Sequence, residues 1–109
     1  MPSATAAGLA GLDDVAAELA DAGVGYERSQ MFGCPGLRRP GKGKFFVTLW
    51  GDDLVVKVSG DAHAEALAIE GAHRFEPMPG RAMGDWVVVP ASARARWSEL
   101  ARRAEAGLA

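Results

Sequence analysis

The sequence predicts a two-layer α+β domain of the order α-β(3)-α-β(2)-α, with three helices on a five-stranded, mainly antiparallel sheet. Three observations predict it. Apolar residues recur at helical spacing in three separate stretches. Two dense β-branched and aromatic runs, Lys44–Trp50 and Leu54–Val58, are separated only by Gly51, Asp52 and Asp53. The remaining strand-like runs are joined by short connections, which favour antiparallel neighbours. The 109 residues, 49% of them hydrophobic and 24% charged, form one domain over 1–109 and bury enough surface for a single core.

Residues 1–8 are small and polar and read as a disordered tail. Leu9, Leu12, Ala16, Leu19 and Ala20, with Val15 beside them, define a first helix at about 9–22. Asp13, Asp14, Glu18 and Asp21 fall mostly on its other side. Gly8 and Gly11 weaken its first turn by up to about 1 kcal/mol each relative to alanine, and Gly23 supplies a left-handed end. Tyr26–Phe32, bounded by Gly25 and Gly33, reads as a strand. Residues 33–43 hold four glycines and two prolines and read as a loop. Lys44–Trp50 and Leu54–Val58 then make a hairpin. Leu54, Val56 and Val58 share one face, and Val55 and Lys57 take the other, which predicts a partly wet face.

Ser59, Gly60 and Asp61 start a second helix at about 61–70, carrying Ala62, Ala66, Leu67 and Ile69 and stopped by Gly71. Ala72–Phe75 is a brief strand. Glu76–Gly80 is irregular, because neither Pro77 nor Pro79 can donate to a ladder. Asp85–Val89 is a strand ended by Pro90. Ala93, Trp97, Leu100, Ala101, Ala104 and Leu108 mark a third helix at about 91–106, with Glu99 and Arg103 spaced for an exposed ion pair.

The net charge of −2 gives no whole-chain attraction to nucleic acid or membrane. A single cysteine, Cys34, excludes an internal disulfide and a multi-cysteine metal site. Its spacing from His63 and His73 matches no ligand pattern, so neither metal nor cofactor is expected. The longest apolar run is far below the ~20 residues that span a bilayer. The N-terminus lacks the positive start of a signal peptide. A cytoplasmic location is expected.

Several stretches together carry a family resemblance. They are Met31-Phe32-Gly33 with Pro35 and Leu37, Gly43-Lys44-Phe45-Phe46, and Leu54-Val55-Val56-Lys57-Val58. Downstream follow Phe75-Glu76-Pro77-Met78, Gly80-Arg81-Ala82-Met83 and Trp86-Val87-Val88-Val89-Pro90. In this order and spacing the chain resembles the TfoX N-terminal domain family and the related YjbR-like proteins. The resemblance implies a secretion-chaperone-like α+β fold. The family is named for a regulator of natural competence in bacteria and offers no catalytic residue set to carry over.

The candidate surface is centred on Met31, Phe32, Gly33 and Cys34, with Arg38, Arg39 and Lys42 beside it and Trp50 and Arg81 elsewhere. The glycines allow close backbone approach, and successive amides can cradle an anion. Alternatively they only shape a turn while Met31, Phe32 and Leu37 plug the core. Nearby arginines favour a thiolate at Cys34, against the plainer reading of an inert thiol. Trp86 and Trp97 read as core, and Trp50, beside a turn, as partly exposed. Arg81 either binds an anion or pairs with Asp85. Residues 28–44 carry Arg28, Arg38, Arg39, Lys42 and Lys44 and no acid, and the third helix adds Arg94, Arg96, Arg102 and Arg103. Three functions follow. The first is a non-enzymatic interaction or regulatory module binding a protein partner or itself. The second is a nucleic-acid-associated regulatory domain using the basic 28–44 segment. The third is a small-molecule-binding domain with a concave pocket, drawing on Arg38, Arg81 and His73.

Overall fold

The computed structural model describes residues 3–31, 33–78 and 80–108. Helix α1 spans Ala6–Asp21, so the chain is ordered well inside the expected tail. Two local interactions fix its start. Thr5 Oγ1 accepts from the Gly8 amide at 3.0 Å and donates to the Asp52 carboxylate. The Thr5 amide donates to the Gly51 carbonyl at 3.2 Å. A side-chain cap of this kind contributes about 1 kcal/mol. At the far end Gly23 has φ +78°. Its amide reaches the Ala20 carbonyl and the Val24 amide reaches Leu19, the paired bonds of a Schellman ending.

Among the described residues the sheet has six strands, not five. They are β1 (Glu27–Met31), β2 (Cys34–Arg38), β3 (Phe45–Trp50), β4 (Asp53–Lys57), β5 (His73–Arg74) and β6 (Trp86–Val89). Their spatial order is β1-β2-β3-β4-β6-β5, and every pair is antiparallel. The added strand is β2, inside the segment expected to be loop. Gly33, at φ +77°, lies in the connection that opposes Met31 to Cys34 and Glu27 to Arg38. Pro35 is tolerated because the β2–β3 ladder begins only at Gly36; Pro35 instead offers its carbonyl to the Thr48 hydroxyl at 3.2 Å. Gly36 is needed for close approach. A Cβ there would meet the Val47 carbonyl oxygen at 2.6 Å and the Phe45 ring at 3.2 Å, so Phe45 lies across it. A register shift between Leu37 and Arg38 marks a bulge beside this contact.

Helix α2 (Gly60–Leu67) follows β4. A 3₁₀ segment, Ala91–Arg96, with a kink at Ala93, leads into α3 (Trp97–Ala106). The third helical stripe is therefore two elements, because Ala93 leaves helical φ/ψ. No helix among the described residues is long and apolar enough to cross a membrane.

The sheet is apolar on both faces. On one, Leu12, Val15 and Leu19 of α1 and Trp97, Leu100 and Ala101 of α3 pack with Val47, Leu49, Leu54, Val56, Val87 and Val89. On the other, Val55, Phe75, Trp86 and Val88 form a second buried cluster. Val55 is fully buried while Lys57, Phe45 and Trp50 stay partly exposed, so this face is partly wet, as expected, but is covered over Val55. The cause is the chain after β5, which folds back over that face. The Phe75 amide bonds the Trp86 carbonyl at 2.9 Å, and the Met83 amide bonds the Phe75 carbonyl at 2.8 Å.

Candidate interaction face

The face without helices holds Met31, Cys34 and Trp50 of the residues singled out from sequence. Register assigns them to it: Met31 opposes Cys34, and Thr48 opposes Gly36 and Val55. Val55 in turn opposes Val88, which opposes His73. Met31, Phe45, Trp50 and Met83 are only partly buried and pack around the second cluster. Trp50 meets Phe75 edge-on, with ring centroids 4.9 Å apart, a favourable aromatic geometry. Met78, in the fold-back segment, is 63% exposed. Cys34 is buried. Phe32 lies outside the described residues.

The basic segment is largely neutralised. Arg28 reaches Asp13 at 2.6 Å, Arg38 Nε lies 3.4 Å from Glu27 Oε1, and Arg39 Nε lies 3.1 Å from Glu105 Oε2. Arg39 also donates to the Glu105 carbonyl at 2.9 Å, which brings this segment against the end of α3. The Arg38 guanidinium sits 5.5 Å from the centroid of the Phe45 ring, a cation–π distance. In the helical region Arg94 pairs with Asp14, Arg96 with Glu99, and Arg103 with Glu65 and Glu99. The expected Glu99–Arg103 pair is present at 3.7 Å. Lys42 and Lys44 have no ion pair among the described residues. Arg81 is exposed and faces Met78 across a β-bridge, with no Asp85 pair among the described residues. His73 lines a cavity of about 440 Å³ with Trp50 and Phe75, apart from Arg38 and Arg81.

A pair of amides that binds a carboxylate lies outside the Met31–Leu37 stretch expected to cradle an anion, and Glu27 of the same chain fills it. The Gly41 amide donates to Glu27 Oε2 at 2.7 Å and the Lys42 amide to Oε1 at 3.4 Å. Gly41 and Lys42 both have positive φ, +75° and +59°, which turns their amides toward one side. The Gly41 bond above all, helped by the Lys42 amide and Arg38, holds the Glu27 carboxyl below the usual carboxylate range. A depressed folded pKa means that this tie is intact above the unfolded glutamate value and is lost as pH falls through the folded one. The Gly41 amide proton shift should therefore titrate with a midpoint below about 4.3, the unperturbed glutamate pKa. The same resonance should stay flat over that range in Glu27→Gln. A midpoint at or above the ordinary value would remove the cradle.

Phe45, Met78, Met83 and Glu27 were missed as surface-forming residues. The alternation of 45–50 carried a signal for Phe45. The other three depend on the fold-back segment and on β2. The chain matches no family model, no curated protein and no solved structure.

Proposed function

We propose that this chain is a non-enzymatic interaction module of the TfoX N-terminal-like kind, acting in the cytoplasm, and that it takes a protein partner on the helix-free face of its sheet. The observation that supports this reading is the half-open apolar set Met31, Phe45, Trp50 and Met83 around a buried cluster, with Met78, exposed in the segment that precedes Met83, as a further apolar side chain. Contiguous exposed apolar surface of this sort marks interaction sites. The basic groups weigh against a nucleic-acid surface, because six arginines have their charge met by a carboxylate. Phosphate binding depends on such charges being available.

Site-specific photocrosslinking in living cells tests the reading. A benzophenone side chain at Met78 or Met83 should give discrete protein adducts, and one at Glu18, on the exposed side of α1, should give none. Adducts of equal yield from Glu18, or none from Met78 and Met83, would overturn it. Adducts to nucleic acid would replace it with the regulatory alternative.

A further inference from the structure

The two edges of the sheet differ. The β5 edge is two residues long, too short to template another strand. The β1 edge is five residues long and, among the described residues, has a neighbour on one side only. Edge strands are usually blunted by charged side chains that stand out along them. Here both charged residues of β1 are drawn back onto their own chain. Glu27 is bound by the Gly41 and Lys42 amides and Arg38. Arg28 is bound by Asp13 of α1. What remains along the edge is Ser29, Gln30 and Met31, all uncharged.

We infer that β1 pairs with β1 of a second copy, antiparallel about a two-fold axis at Ser29, to give one continuous twelve-stranded sheet. The sequence of β1 is compatible with its own reverse in this register. Ser29 faces Ser29 of the other copy, Arg28 faces Gln30, and Glu27 faces Met31. No charge meets its like, which is what destabilises an antiparallel pair, and all five residues take part. A two-fold axis perpendicular to the sheet keeps the helices of both copies on one side. The two helix-free faces then become contiguous through the Met31 side chains. The inference rests on the interaction-module reading and names a second copy as the occupant of its edge.

Cysteine crosslinking with sedimentation equilibrium tests it. The weight-average mass of the wild type should rise from 11.4 kDa toward twice that between micromolar and millimolar protein. Directly opposite Cα atoms lie about 4.5–5.5 Å apart, inside the Cα range of disulfides. Ser29→Cys should therefore oxidise to a covalent dimer. Arg28→Cys mixed with Gln30→Cys should give a heterodimer in at least tenfold excess over either homodimer. The wild type, whose one thiol is buried, should stay uncrosslinked. A monomer at 1 mM with no Ser29→Cys dimer overturns the inference. So does crosslinking at Met78→Cys in place of Ser29→Cys, which would leave the module reading standing. Failure of that reading shows separately, in the absence of adducts from Met78 and Met83 in cells.

Discussion

Trp97→Ala is expected to cost about 3–5 kcal/mol of unfolding free energy, the range for truncating a fully buried tryptophan. Trp97 is 1% exposed and is the largest side chain of the helix-side core. It touches Gly11 of α1, while its indole Nε1 donates to the Pro90 carbonyl at 3.2 Å. Alanine removes the ring that fills the space between α1, α3 and the sheet, and it also removes one of the two hydrogen bonds that carbonyl accepts, the other coming from the Ala93 amide at 2.9 Å. For a domain of this length each kcal/mol moves the thermal midpoint by roughly 4–8 °C, so the midpoint should fall by more than about 12 °C. Urea unfolding followed by circular dichroism gives the same quantity independently. A loss below about 1 kcal/mol would mean that Trp97 is not central to the core.

The second large effect is at Gly11, where α1 and α3 come together. A Cβ built there would sit on Cζ3 of Trp97, 3.1 Å from Cε3 and 3.3 Å from Arg94 Nε. The ring is buried and hydrogen-bonded, so it has little room to yield. Gly11→Val should therefore destabilise by about 3 kcal/mol, the upper part of the overpacking range. Gly11→Ala should destabilise less, because better helix propensity returns up to about 1 kcal/mol. The mechanism predicts coupling. In a Trp97→Phe background, which shortens the ring, Gly11→Ala should become neutral or stabilising. Residues in contact give interaction energies of about 0.5–3 kcal/mol in such cycles. Additive effects, or a stabilising Gly11→Ala in the wild type, would show that the helices are not held together at this point.

These two residues also show where sequence reasoning reached and where it stopped. Trp97 was legible as core, because its place in the Ala93–Leu108 stripe depends only on local periodicity. Gly11 was read as a weak spot in a helix, because helix propensity is local and the helix packed against it is not. The same division runs through the sheet. The β3–β4 hairpin was legible from composition alone. Strand β2 was not, since Pro35 and Gly36 carry poor strand propensity and are accommodated only by neighbours distant in sequence, Thr48 and Phe45. The face of Val55 and Lys57 was read as partly wet by alternation within β4, which contains no information about the segment that later covers Val55 itself. Of the candidate surface, Trp50 was correctly placed as partly exposed. The basic residues were counted correctly and Arg103 was paired with Glu99, but other acidic partners lie up to 80 positions away and could not be paired by inspection.

The turn between β3 and β4 has a topological consequence. Thr5, at the head of α1, bonds Gly51 and Asp52, and Asp53 Oδ1 accepts from the Ala91 amide at the head of the 3₁₀ segment at 3.0 Å. Two long loops, of sequence separation 47 and 38, thus end on the same three residues. The entropy lost on closing a loop grows only logarithmically with its length. Both closures share an anchor that the hairpin supplies from local contacts, so neither has to find a second moving segment in space. Most of the chain is thereby gathered onto a fixed point near its middle.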